Sequence, residues 1–170
     1  LPGPVVSDLL PPEIVALARQ VVEENAKLGR RVALAESCTG GLVAAALTEI
    51  AGSSAVLDRG FVTYSNEAKQ AILGVSREII DTFGAVSIAC VYEMAQGALK
   101  HSEADVAIAI SGIAGPEGGS DLKPVGTVVF ARAVRDGDGE PEGEMQHFDG
   151  QSRSEVRRQA TLAALALLLP

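Results

Sequence analysis

Cysteine and histidine are both scarce in this chain of 170 residues, each occurring twice, as Cys38 and Cys90 and as His101 and His147. Two cysteines make no disulfide framework, and the absence of a CxxC or His-Cys cluster removes the usual zinc sites. No metal or cofactor is expected. Positive charge is also short, with 14 Lys and Arg against 22 Asp and Glu and a net charge of −8. No basic run offsets that balance, which excludes a nucleic-acid partner and leaves solubility as the plain reading of the charge. Apolar residues make up 47% of the chain, but no run is long enough to span a bilayer, so no membrane is expected. No basic segment followed by an apolar core opens the chain, so no signal peptide is read and a cytoplasmic, reducing setting is expected. No pair of carboxylates stands out for glycosidase-like work.

What is present centres on Ala33-Leu-Ala-Glu-Ser-Cys-Thr-Gly-Gly41. The preceding Arg31 to Glu36 reads as a short buried strand, and Leu42 to Ile50 as an Ala-rich helix. The turn between them holds Ser37, Cys38 and Thr39 beside Gly40 and Gly41. A helix start offers unpaired N–H groups and partial positive charge, which suits an anion or the oxyanion of a reacting carbonyl.

The remaining pattern is that of one α/β domain, a three-layer α/β/α sandwich with a mixed, mostly parallel sheet. Residues 1–10 read as a loose arm, and 11–170 as the domain. A helix opens at Pro11-Pro-Glu13 and stops at Gly29. Phe61 to Ser65 reads as a strand, and Asn66 to Leu73 as a helix with Asn66 near its cap. Ser76 to Phe83 is a short helix, and Ser87 caps a longer one to about His101. Ala104 to Gly112 is the clearest strand, with Val106, Ile108 and Ile110 on one face and Ala107 and Ala109 on the other. The small face invites a closely packed helix. Gly126 to Val134 and Glu144 to Phe148 read as a hairpin around Asp136-Gly-Asp-Gly139. The last helix starts at the capping box Ser152-Arg-Ser-Glu155 and runs through Leu169. Its second half is apolar nearly all round, which means deep burial or a subunit interface, and a homo-oligomer is expected.

Three strands end in polar residues, Glu36-Ser37, Tyr64-Ser65 and Ser111-Gly112. Ligands of open α/β sheets bind outside such carboxyl ends, so the three ends are expected to line one crevice. Lys69, in the first turns of the helix after Tyr64, can reach back over it. A serine and a lysine can run acyl chemistry when the lysine is neutral, and burial moves its pKa in that direction. Each residue also has a plainer reading: Ser37 or Thr39 as an N-cap, the glycines as turn formers, Lys69 as a solvated helix residue, Tyr64 as a half-buried aromatic. Cys38 is a rival nucleophile at a helix start that lowers thiol pKa, but neither histidine is placed to serve it, and it reads as a packing residue. Glu36 reads as an orienting group. By themselves these patterns amount to a small-molecule pocket with hydrolytic potential.

Ala35-Glu-Ser-Cys-Thr-Gly-Gly41, Gly60-Phe-Val-Thr-Tyr-Ser-Asn-Glu-Ala-Lys69, Gly84-Ala-Val-Ser87, Ile110-Ser-Gly-Ile-Ala-Gly-Pro-Glu-Gly-Gly-Ser120 and Lys123-Pro-Val-Gly-Thr127 together resemble the C-terminal domain of the CinA (competence/damage-inducible) family. The resemblance covers nearly the whole chain from the first helix to the last. It implies hydrolysis of nicotinamide mononucleotide to nicotinate mononucleotide and ammonia, a step of pyridine nucleotide salvage. It also implies a serine amidase mechanism carried by Ser37, Tyr64 and Lys69. Longer relatives add an N-terminal domain resembling molybdopterin-binding proteins, linked to ADP-ribose pyrophosphatase activity, which is not assigned to these residues. On this reading Ser37 attacks the carboxamide, Lys69 takes its proton directly or through Tyr64, and N–H groups after Ser37 hold the oxyanion. Glu36, Cys38, Thr39, Gly40, Gly41, Asn66, Ser111 and Gly112 surround the substrate. Backbone N–H groups of 112–119, with Gly115, Gly118 and Gly119, form a nest for its phosphate, and Arg157 or Arg158 supplies charge unless both lie on a solvated helix face. The alternatives are a non-catalytic nucleotide-binding regulatory module and an amidase for another carboxamide.

Overall fold

In a computed structural model, residues 8–137, 139, 141–148 and 152–170 are described. The expected arm therefore lies outside them through residue 7, as do Asp138 and Glu140 of the hairpin turn region. The elements in chain order are α1 (Pro12–Leu28), β1 (Val32–Glu36), α2 (Leu42–Thr48), β2 (Leu57–Val62), α3 (Asn66–Leu73), α4 (Arg77–Phe83), α5 (Ile88–Lys100), β3 (Val106–Gly112), β4 (Thr127–Val134), β5 (Glu142–His147) and α6 (Arg153–Leu167), with a 3-10 turn at Ser53–Ala55. The five strands form one mixed sheet in the order β2-β1-β3-β4-β5. β2, β1 and β3 run parallel, β4 pairs antiparallel with β3, and β5 pairs antiparallel with β4.

The two faces of the sheet are made of different residues, and this decides what covers them. Ala33 pairs with Ala107 and Ala35 with Ala109, and these pair in turn with Ala133 and Ala131. The alanines thus line up across three strands on one face, where α5 packs through Cys90, Val91, Met94, Ala95 and Ala98. Small side chains let a helix lie close to the sheet. On the opposite face Val32, Leu34, Val106, Ile108, Ile110, Val128 and Phe130 meet α1, α2 and α6. The expected α/β/α layering and the alanine face are both observed, with β4 alone running against the other four strands.

Several boundaries differ from expectation. β2 is Leu57–Val62 rather than 61–65, because as an edge strand it pairs only with β1 and tolerates the charged Asp58 and Arg59. Thr63 to Ser65 follow the strand and lead into α3. Ser65, not Asn66, caps α3, its Oγ accepting from Ala68 N at 3.0 Å. α2 ends at Thr48, two residues early, and β5 begins at Glu142 and ends at His147. In α6 and its C-cap, Ala160, Ala164, Leu165 and Leu168 are buried in the chain's own core, while Leu162, Ala163 and Leu167 are only partly covered. Deep burial thus accounts for one face of this helix and not for all of it.

Candidate active site

β1 ends by delivering Glu36 and Ser37 to opposite tasks. Glu36 is 1% exposed and turns its carboxylate under the start of α2. Its Oε1 accepts from Thr39 Oγ1 at 2.7 Å, Gly41 N at 3.2 Å and Val43 N at 3.0 Å, and its Oε2 from Ala44 N at 3.1 Å. A buried carboxylate needs such donors, and the first N–H groups of a helix lack intrahelical partners, so each satisfies the other. The anion-binding start of α2 is therefore already occupied by the protein's own anion. This corrects the expectation that Glu36, Thr39, Gly40 and Gly41 meet the substrate. Thr39 is fully buried, with its hydroxyl spent on Glu36, and none of the four lines the cleft.

Ser37, by contrast, faces outward over the strand ends. Its N–H is held by Ile110 O at 2.9 Å, which ties the turn to β3. Its Oγ lies 2.9 Å from Lys69 Nζ. Lys69 is 1% exposed and reaches back from α3 to contact Thr63 O at 2.8 Å and Tyr64 O at 3.2 Å as well. Among the described residues it makes no ion pair. Burial without a counter-charge disfavours the ammonium and lowers the Lys69 pKa. Three oxygens thus surround Nζ; when it is neutral, its two hydrogens can serve the two carbonyls and leave its lone pair for the Ser37 hydroxyl. That is the arrangement a general base needs.

The neighbouring thiol is of another kind. Cys38 is buried, and burial pushes its pKa up to about 12. Desolvation outweighs the lowering expected from a helix start, so the thiol stays protonated and packs. A Cβ at Gly112 would lie 3.0 Å from its Sγ and 2.8 Å from Val128 Cγ2, so the close approach of β3 to the nucleophile turn requires glycine there.

Ser37, Cys38, Tyr64, Asn66, Lys69, Ser111, Gly112, Gly115 and Gly118 line one cleft of about 290 Å³, together with Ala85, Val86, Ile113, Ala114, Glu117 and Arg153. The three polar strand ends do converge. Gly119 is not among the lining residues; a Cβ there would stand 2.7 Å from Val125 N, so it serves a tight backbone crossing. Ala114, Gly115, Glu117, Gly118 and Gly119 donate their N–H groups to no oxygen among the described residues.

Tyr64 and the arginines are arranged differently from expectation. Tyr64 is 61% exposed, and its hydroxyl accepts from Arg153 Nη2 at 3.0 Å. What it offers Lys69 is its backbone carbonyl, and the serine–lysine contact is direct. Arg153 also donates from Nη1 to Gly115 O at 2.7 Å, bridging the two walls of the cleft mouth. Arg153 was missed in the sequence, although it lies one helical turn before Arg157 on the same helix face. Arg157 holds the Cys38 and Thr39 carbonyls, and Arg158 pairs with Glu155 and Glu13. Neither of these lines the cleft.

Comparison with known proteins identifies the family. The family model described as the CinA C-terminal domain matches residues 14–170. The chain is 54% identical over 156 residues to the nicotinamide-nucleotide amidohydrolase PncC of Escherichia coli K12, covering 92% of this chain and 93% of the relative. The crystal structure of competence/damage inducible protein CihA from Agrobacterium tumefaciens superposes with a TM-score of 0.90 at 50% identity, covering 94% of this chain and 96% of that one. A CinA superfamily protein from Klebsiella pneumoniae matches with a TM-score of 0.85 at 45% identity, over 91% and 94% of the two chains. From α1 to α6, over residues 14–170, this chain belongs to the CinA C-terminal domain family.

Proposed function

We propose that this chain is a nicotinamide-nucleotide amidohydrolase, converting nicotinamide mononucleotide to nicotinate mononucleotide and ammonia in pyridine nucleotide salvage. The 54% identical relative, matched over 93% of its own length, carries that activity in its name. The observation that supports the chemistry is the 2.9 Å contact between Ser37 Oγ and a buried, unpaired Lys69.

Ser37 Oγ attacks the carboxamide carbon while its proton passes to neutral Lys69. The carbonyl oxygen becomes an oxyanion, received by the N–H group of Cys38, which lines the cleft and has no oxygen acceptor among the described residues. Lys69 then protonates the leaving nitrogen, ammonia departs and an acyl-enzyme remains. Water, deprotonated by Lys69, cleaves that ester and frees the carboxylate product. Arg153 and the free N–H groups of 114–119 hold the phosphate, with the Tyr64 ring at the mouth beside the ribose and ring. The Glu117 carboxylate at the same wall sets a limit on how far a phosphate can move outward.

Ammonia release measured over nicotinamide, its riboside and its mononucleotide tests this reading. The mononucleotide turns over fastest, and excess chelator leaves the rate intact. Loss of activity in chelator with recovery on adding a divalent ion would sink the serine–lysine mechanism. The same reading places the enzyme in the cytoplasm as a homodimer joined through the partly covered Ala163 and Leu167 side of α6, and light scattering at micromolar concentration checks the assembly.

A further inference from the structure

Two connecting segments line the cleft, and they are fastened very differently. Ala85 and Val86 come from the turn between α4 and α5; Ile113, Ala114, Gly115, Glu117 and Gly118 come from the loop between β3 and β4. Ser87 Oγ donates to Gly84 O at 2.7 Å and accepts from Cys90 N at 3.1 Å, which locks the turn to the start of α5. The loop is closed at its base, where Ile113 N donates to Thr127 O and Gly126 N to Ile113 O. Beyond that base, two side chains tie it to other elements among the described residues. Arg153 donates to Gly115 O from α6. Lys123 Nζ donates to Phe83 O at 2.7 Å, across 40 residues of chain.

Phe83 is the last residue of α4, so its carbonyl has no intrahelical N–H to accept from. A charged donor on such a carbonyl makes the stronger kind of hydrogen bond. A hold on Lys123 reaches the cleft because the loop is folded tightly on itself. Ser120 N donates to Lys123 O at 2.9 Å, and Lys123 N to Ser120 Oγ at 3.1 Å. A Cβ at Gly115 would collide with Val125 Cγ1, and one at Gly119 would stand 2.7 Å from Val125 N. The arm that carries Lys123 therefore lies against the arm that lines the cleft. We propose that Lys123 is a positioning residue that fastens the 113–126 loop to the end of α4 and so sets the cleft wall that receives the nucleotide end of the substrate. Lys123 is not itself among the lining residues and acts through the loop. The role deepens the amidohydrolase reading and rests on it.

The test joins kinetics to a readout that needs no turnover. Lys123→Met keeps the length of the side chain and removes its donors. Released, the loop holds its binding position only part of the time, so KM for nicotinamide mononucleotide rises about 10-fold while kcat stays within about twofold. Amide hydrogen exchange of residues 114–120 in the unliganded protein speeds up about 10-fold, with 106–112 of β3 unchanged. p-Nitrophenyl acetate is too small to need the loop. It acylates Ser37 as the Oγ–carbon bond forms, the bond to p-nitrophenolate breaks and the Oγ proton passes to Lys69, and its single-turnover rate is unchanged. Lys123→Arg, which keeps charge and donors, restores KM and exchange. Lys100→Met removes the same charge from the exposed end of α5 and leaves all readings at wild-type values. Unchanged exchange overturns the proposal, and with a raised KM it makes Lys123 a direct ligand of the nucleotide. Faster exchange with an unchanged KM also overturns it, because the loop's position then does not govern binding. So does an acylation rate that falls, which places the effect at Ser37. If wild-type enzyme is acylated by the ester but releases no ammonia from the nucleotide, the substrate reading fails, while exchange of 114–120 still decides whether Lys123 holds the loop. Should Lys123→Met fail to fold, Lys123→Ala takes its place with the same expected outcomes.

Discussion

Two clefts open toward opposite ends of the sheet, and the larger one is the poorer candidate for chemistry. Beside the start of β3, Gln96, Leu99, Arg132, Val134, Pro141 and Glu142 surround about 480 Å³. The cleft at the carboxyl ends of the parallel strands measures about 290 Å³. The larger one is bordered by the ordinary polar surface of a hairpin and a helix end. In the smaller, a lysine is stripped of water and set against a serine hydroxyl. Volume measures room for a ligand; reactivity comes from a polar group held in a state that water would not favour.

The strongest way to break this contrast is to remove the pair. Ser37→Ala and Lys69→Ala each lower turnover by about 10⁴-fold or more, the scale of losing members of a nucleophile–base unit, in an ammonia-release assay on folded protein. Lys69→Arg keeps the charge but does not deprotonate, so it binds nucleotide and fails to turn over. Near-wild-type rates in that variant would reduce Lys69 to an anchor.

The pH dependence sharpens the same point. The folded pKa of Lys69 is lowered by burial, below the ordinary value of about 10.4. Between those two values the unfolded chain binds more protons than the folded one, so stability rises with pH across that window. Below the folded value Lys69 is charged in both states, and its burial weakens the fold. Activity rises with pH through the same folded value, as the base becomes available. A kcat that falls as pH rises from neutrality would exclude Lys69 as the base.

Smaller effects test the surroundings. Arg153→Ala raises KM for the mononucleotide by about 10- to 100-fold, the scale of a lost charge-assisted hydrogen bond. It leaves the riboside nearly unaffected, because that substrate has no phosphate; equal losses on both would assign Arg153 to the wall alone. Glu36→Gln exchanges a carboxylate for an amide that cannot accept at both ends, and it lowers stability by about 1–3 kcal/mol in chemical denaturation. Gln96→Ala, at the larger cleft, leaves ammonia release unchanged. Any loss there would undo the contrast between the two ends.

Much of this architecture is legible from local pattern. Gly29 stops α1 in the left-handed conformation, and Ser87 and Ser152 cap α5 and α6 as the sequence suggests, while Ser76, read as the first helical residue, caps α4. The two-residue alternation from Val106 to Ile110 separates the two cores, because side chains on a strand alternate whatever lies above and below. β2 was harder to place because edge strands need no apolar alternation. Its first half, Leu57-Asp-Arg-Gly60, carries none.

The site shows the same division. Ser37 and Lys69 were candidates from sequence because a polar strand-to-helix turn and a lysine one helix further on are local features. Their contact across 32 residues, and the burial that lowers the Lys69 pKa, exist only once α3 is laid against the end of β1. The roles of Glu36, Tyr64, Arg153 and Arg157 were likewise decided in three dimensions. A carboxylate, a phenol or a guanidinium has several possible partners, and sequence spacing does not choose among them. Packing does: it buried Glu36 under α2, left the Tyr64 hydroxyl to Arg153 and turned Arg157 onto the carbonyls behind Ser37. The sequence alone determined the elements and the kind of chemistry available, through periodicity and residue type. Only the tertiary structure decided which charge meets which dipole, because those contacts depend on distances that no local rule contains.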